Sequence, residues 1–225
     1  MKPIIFSTPM VQAILAGKKT QTRRVIKPQP DGIGEPGKLP YKHKSIGAIR
    51  DGKLTVISHP DGEPNKRFID VINPKYQPGD ILWVRETWQS FFPEEVTEKH
   101  QRGARSFSGI PAETAKGHYM YFYYRADGEL GNAGRKARWL PSIFMPKAAA
   151  RIFLRVNGVR VERVQEISHD DAVAEGVRIG IGGMPYFSNI DAYRSVWDDL
   201  NAKRGYGWDK NPWVWVIEFE RVASQ

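Results

Sequence analysis

An α+β fold is what this sequence predicts: short strands curled into a small, partly closed β-barrel, with short helices at two of its edges. Three observations carry that expectation. Apolar residues come in short runs separated by glycine and proline, 21 and 16 of them in 225 residues, which favours many turns over long helices. Strand-like runs outnumber helical ones, about six to eight against roughly three. The closing segment PWVWVIEFERV alternates in the manner of a strand. No internal repeat and no clean linker is visible. One domain over 1–225 is therefore expected, with long insertions at about 27–75 and 90–137.

Ile4 to Phe6 forms the first apolar run, a short strand. Ser7 or Thr8 can cap the helix that follows, whose apolar face is Met10, Val11, Ile14 and Leu15. Gly17 is suited to end it in the left-handed conformation. Thr20 to Ile26 alternates and reads as a strand. The Pro- and Gly-rich stretch 27–50 reads as a loop. Asp51-Gly52 then signals a hairpin into a strand over Leu54 to Ser58. Pro78-Gly79-Asp80 turns the chain into Ile81-Leu82-Trp83-Val84, the clearest strand signal, which ends at Arg85 and Glu86. FPEEVTEKHQRGARS has some helical character, and HYMYFYYR is an aromatic strand ending in an Asp127-Gly128 turn. Residues 129–137 read as an exposed loop. Ile152 to Val156 and Val159 to Val164 read as two strands of a hairpin about Asn157-Gly158. Ser168 caps a short helix over HDDAVAEG, with Asp170 and Asp171 at its positive end and Gly176 closing it. NIDAYRSVWDDLN is an amphipathic helix capped by Asn189 with Ala192, Val196 and Leu200 on one face. On the last strand Trp213, Trp215, Ile217 and Phe219 share one side, and Val214, Val216, Glu218 and Glu220 the other.

The composition narrows the function. Net charge is +9, a surplus that favours polyanionic partners. There is no cysteine, so disulfides, thiolate nucleophiles and Cys-based zinc sites are excluded. The five histidines are scattered at 43, 59, 100, 118 and 169 with no ligand-like spacing, and no metal or other cofactor is expected. The GIGG at 180–183 follows no convincing strand and reads as a loop. The N-terminus lacks the apolar core of a signal peptide, and no run reaches the ~20 apolar residues of a membrane span; a cytoplasmic protein is expected. Lys18, Lys19, Arg23, Arg24 and Lys27 can contact phosphates, while Trp83, Trp88, Tyr121 or Trp139 can stack a base. Arg85 and Glu86, ending a strand, are expected at the rim of a pocket.

Gly17-x-Lys19-x-x-Thr22-x-Arg24 resembles the hallmark of the ASCH family, whose members have a PUA-like β-barrel and are linked to RNA and modified-base recognition. Thr22 stands where many members carry glutamate. That departure is shared with small bacterial amidohydrolases that remove the acetyl group from N4-acetylcytidine. PGDILWV, VQEISHDDAVAEGV and PWVWVIEFERV are similar to further pieces of the family. The opening FSTPMVQAIL with KTQTRRV resembles large phage and prophage members. The resemblance covers roughly half the chain and leaves the two insertions outside.

The resemblance implies RNA or a modified nucleoside as partner, with DNA an open alternative, and Lys18, Arg23, Arg24, Arg85, Glu86 and Trp88 as ligand contacts. Through the amidohydrolase subgroup it implies Lys19, Thr22 and Glu175 as catalytic set. Such chemistry needs a nucleophile, a base to activate it and a proton donor for the leaving amine. A threonine hydroxyl is a weak nucleophile until a neighbour takes its proton, and a lysine can do so if burial or a nearby cation lowers its pKa. Lys19 and Thr22 are three positions apart, so in a regular strand they point to opposite faces. A shared site requires an irregular turn after Gly17. An interaction protein of a phage, with the basic patch incidental, is the third alternative.

Overall fold

The computed structural model describes residues 1–29, 43–50, 53–59, 68–91, 110–113, 119–128, 138–177 and 188–223. The helical character expected over 92–106 and the loops at 129–137 and 180–183 lie outside these residues, as does most of the loop assigned to 27–50. The described chain is mixed α+β, with open sheets and few helices. No helix among the described residues is long and apolar enough to cross a membrane. Two compact units emerge, each assembled from separate stretches of chain: Met1–Gly17, Ile81–Arg155 and Arg221–Gln225 in the first, Lys18–Asp80 and Val156–Glu220 in the second.

In the first unit, β1 (Lys2–Ile5) runs parallel to β6 (Ile81–Arg85), and β6 pairs antiparallel with the start of β10 (Phe153–Arg163). Helix α1 (Thr8–Leu15) follows β1 and buries Val11 and Ile14. Gly17, at φ 67°, ends it as expected. A second sheet has the order β7 (Trp88–Phe91), β9 (Tyr119–Tyr124), β8 (Ile110–Glu113). Trp88, Phe122, Tyr124, Met145 and Ala149 pack together as its core.

In the second unit, β2 (Gln21–Val25) pairs antiparallel with β11 (Trp213–Val222), with Thr22 opposite Ile217. The strand order there is β10-β11-β2, and the run does not return on itself. A meander of β3 (His43–Arg50), β4 (Lys53–His59) and β5 (Phe68–Ile72) forms a separate sheet, so the expected loop through residue 50 ends in a strand. Helices α2 (His169–Ala174) and α3 (Asn189–Asn201) supply Ala172, Tyr193 and Trp197 to a core with Val164, Ile167, Trp208, Val214 and Val216.

Several expectations are corrected. The hairpin about Asn157-Gly158 does not exist: β10 is one strand of 11 residues running through both. A two-residue hairpin turn needs positive φ at its central residues, and Gly158 is not among the positive-φ glycines. Helix α3 is capped by Ser188, one residue before Asn189, through a reciprocal capping box with Asp191. It buries Tyr193 and Trp197 rather than Ala192, Val196 and Leu200, and Leu200 is 45% exposed. An aromatic side chain buries roughly 150–250 Å², worth about 4–6 kcal/mol at 25 cal/mol per Å². Two aromatics at i, i+4 therefore outweigh the aliphatic face one residue round the helix. On β11 the four residues from Val214 to Ile217 are all buried, so both faces of this strand are covered. Trp213 is only half-buried and lies beneath the Arg163 guanidinium, 4.2 Å from its ring centre.

Candidate functional site

After Gly17 the chain becomes extended at once. The Thr20 N–H donates to the Ala174 carbonyl at 2.8 Å, the Thr20 carbonyl accepts from Phe219 N–H at 2.8 Å, and Lys19 forms an antiparallel bridge with Glu175. From Lys19 onward a period of two governs the side chains. Lys19, Gln21 and Arg23 fall on one side of the chain, and all three are buried against α2. Thr22 and Arg24 fall on the other.

The buried side is a charge network. Lys19 is 2% exposed. Its Nζ donates to Glu175 Oε2 at 2.7 Å and to the Glu175 carbonyl at 2.8 Å, at the negative end of α2. Arg23 donates to Glu175 Oε1 at 3.3 Å, to Asp171 Oδ2 at 3.0 Å and to Glu162 Oε2 at 2.9 Å. Gln21 donates to the Asp171 carbonyl and to its Oδ1. Arg160 donates to Glu162, Glu218 and Asp171. Asp171 also completes the capping box of α2 with Ser168.

Burial drives the Lys19 ammonium below its ordinary pKa of 10.5. Glu175 opposes that shift, and Arg24 and Arg23 reinforce it. Burial also lowers Arg24, which is influenced by Tyr76, Glu175 and Tyr193. Tyr193 is pushed well above 10, by burial first and Glu175 second. For Asp171 burial acts upward, but hydrogen bonds from Gln21 and Ser168, with Arg23 and Arg160, hold the carboxyl down at about 2. Desolvating such ions costs several kcal/mol each, recovered only through good geometry. A lysine is the one cation here that can lose its proton in an accessible range. Its Nζ lies 2.7 Å from Glu175 Oε2.

The structure brings together Lys19 and Glu175 of the expected catalytic set, but not Thr22. The irregular turn needed to gather all three is replaced by extended chain from Lys19. Thr22 is buried on the opposite face of β2, and among the described residues no hydrogen bond links its hydroxyl to Lys19 or Glu175. Lys18 is exposed and Arg24 half-buried. Arg23, expected as a ligand contact, is turned inward and committed to three carboxylates. Sequence reasoning missed Gln21, Glu162, Asp171, Arg160 and Tyr193. The alternation Lys19-x-Gln21-x-Arg23 was the available signal for one side of this network.

The remaining expected contacts belong to the first unit. Glu86 is buried, and both its oxygens are taken by Arg151, at 2.9 Å each. Arg151 also donates to Asp127 Oδ2 at 2.7 Å and lies 3.9 Å from the Tyr124 ring centre. Burial raises the Glu86 pKa, with Arg151 opposing. Trp88 is buried in the core beside Phe122, where its indole N–H has no hydrogen-bond partner among the described residues. The Arg85 guanidinium lies 4.7 Å from the Trp83 ring centre and donates to the Ile143 carbonyl at 3.2 Å.

Among the described residues no group of three or more His, Cys, Asp or Glu could hold a metal ion. No protein family, curated protein or solved structure matches the chain.

Proposed function

We propose that the chain is an ASCH-type protein with a PUA-like architecture that binds RNA or a modified nucleobase through the second unit. The observation that carries this reading is how charge is sorted around β2. Glu162, Asp171, Glu175 and Glu218 are matched internally by Lys19, Arg23 and Arg160. Lys18 and Lys27, flanking the same strand, are at the surface. On a chain of net charge +9, these two exposed ammonium groups are suited to phosphates. Lys27 lies 4.9 Å from the Tyr206 ring centre, and Arg163 lies over Trp213. The test is fluorescence anisotropy with a labelled single-stranded oligouridylate and its deoxy counterpart over a salt series. Lys18→Glu with Lys27→Glu should weaken binding and reduce the salt slope by about 1 per lost phosphate contact. Unchanged affinity would overturn the reading.

A second reading is favoured by the Lys19–Glu175 contact and the lowered lysine pKa: hydrolysis of an N4-acylated cytidine to cytidine and the carboxylic acid, consuming one water. Lys19 would take the proton of the attacking water and return it to the departing N4 nitrogen as the C–N bond breaks, and Glu175 would hold the ammonium formed in between. Purified protein incubated with N4-acetylcytidine should release cytidine, and Lys19→Ala should abolish release. No turnover, or turnover indifferent to Lys19, removes this alternative.

A further inference from the structure

Residues 138–150 read RWLPSIFMPKAAA, a segment with two cations and no carboxylate. It folds as two 3-10 turns, Ser142–Phe144 and Lys147–Ala149, each preceded by a proline. Its inward residues are fully packed. Met145 and Ala149 join the core of Trp88, Phe122 and Tyr124, and the Glu86 N–H donates to the Met145 sulfur at 3.3 Å. Its outward residues are not: Phe144 is 71% exposed and Ile143 57%.

This exposure is held in place. Phe144 N–H donates to the Pro141 carbonyl at 3.0 Å, Met145 N–H to the Ser142 carbonyl at 3.1 Å, and Arg85 to the Ile143 carbonyl at 3.2 Å. Met145 pins the turn from below, so Phe144 cannot fold inward without evicting it. A rigid turn presenting an aromatic ring pre-organises a contact, which lowers the ordering cost of binding.

Two considerations select the occupant. A stable protein interface buries about 800 Å² on each partner, and two side chains on one turn fall well short of that. One aromatic face is enough for one base, and base–aromatic stacking is tolerant of sequence. The charges agree: Arg138 and Lys147, six residues before Phe144 and three after it, are both exposed.

We infer that Phe144 is a stacking platform for an unpaired base of single-stranded nucleic acid, with Arg138 and Lys147 contacting the flanking phosphates. The partner class rests on the reading proposed above; the site is a different one, contained in the first unit.

The experiment uses the full chain and a fluorescein-labelled oligouridylate, with the deoxy oligomer as second arm. Phe144→Ala should weaken binding about thirtyfold, the middle of the range for loss of one stacked base. Phe144→Tyr should retain affinity. Phe144→Leu, which keeps apolar volume without a π face, should behave like alanine. Arg138→Glu with Lys147→Glu should weaken binding and flatten its salt dependence. Affinity unchanged in Phe144→Ala, or leucine performing as well as phenylalanine, overturns the stacking site. If only Lys18→Glu with Lys27→Glu weakens binding, the stacking site falls and the second-unit reading stands. If only the Phe144 series does, the reverse holds. Binding to neither oligomer overturns both. A Phe144-dependent dimer in sedimentation, with oligomer affinity untouched, assigns the turn to a second copy of the chain and overturns the proposal.

Discussion

The two units each bury an ion cluster, and the clusters differ in extent and in the cations they hold. In the first, one cation serves two carboxylates: Arg151 holds Glu86 and Asp127. In the second, three cations share four carboxylates: Glu175 holds Lys19 and Arg23, Arg23 also reaches Glu162 and Asp171, and Arg160 joins Glu162, Asp171 and Glu218. The cation in the first cluster is an arginine, which keeps its proton under all ordinary conditions, so that cluster is a fixed clamp. The second holds, beside two arginines, a buried lysine with a lowered pKa. Similar burial is therefore met by arginine alone in one place and by a lysine among arginines in the other.

The comparison is most directly broken at Glu175. Glu175→Ala leaves Lys19 buried without its carboxylate partner and should cost about 3–5 kcal/mol of stability in urea denaturation. Lys19→Met combined with Glu175→Leu should recover much of that loss, because an apolar pair removes the desolvation cost. A loss below about 1 kcal/mol for the single change would mean that Lys19 is not dependent on the pair.

Glu86→Ala should cost less, about 2–3 kcal/mol for a lost charged hydrogen-bond pair, because Arg151 keeps Asp127 and the Tyr124 ring. If it proves as costly as Glu175→Ala, the contrast between the two clusters loses its energetic basis.

Acid titration sharpens the contrast further. Glu86 sits above its ordinary 4.5 in the folded chain. Between that raised value and 4.5 the folded state binds the proton more tightly, so acidification through this window adds stability. Asp171 sits at about 2 against an ordinary 3.8. Its contribution is complete above 3.8 and is lost as the pH falls through about 2. Urea midpoints followed against pH should therefore lose the first rise in Glu86→Gln and lose part of the later fall in Asp171→Asn. Curves parallel to that of the unaltered chain would contradict both assignments.

The smallest effects concern two glycines. Gly17 sits at φ 67° with open space where a Cβ would be. Gly17→Ala should cost about 1–2 kcal/mol from backbone conformation alone. Gly158 is extended, and a Cβ there meets the Glu218 side chain, nearest at Oε2, 3.0 Å away. Gly158→Ala should stay within about 0.5 kcal/mol. Thermal melts of the two variants separate them, and equal costs would mean that the left-handed turn into β2 is not what positions Gly17.

Much of the fold was legible where local signals agree. Pro78-Gly79-Asp80 announced β6, and the structure closes that turn with Gln77 and Asp80 bonding each other, Gly79 at φ 87°. Ser168 announced α2 through its capping box. Asn157-Gly158 misled because a strand is decided by its neighbours. The start of β10 pairs with β6 and the remainder lies beside β11, so the turn-prone dipeptide stays extended. The candidate site was half legible. Glu175 reached Lys19 only through the resemblance. Glu162 and Asp171 lie 139 and 148 positions from Arg23, a separation no local pattern spans. Thr22 followed the period of two that the extended chain enforces.

Asp171 joins two of these themes in one side chain. Its carboxyl caps α2 through Ser168 and also grips Gln21 and Arg23 of β2. A helix of 6 residues is far too short to persist in water on its own. The same atoms that start the helix thus dock the strand, and neither is complete without the other. In hydrogen–deuterium exchange, amides 169–174 and 21–25 should open together as one cooperative block rather than fray independently.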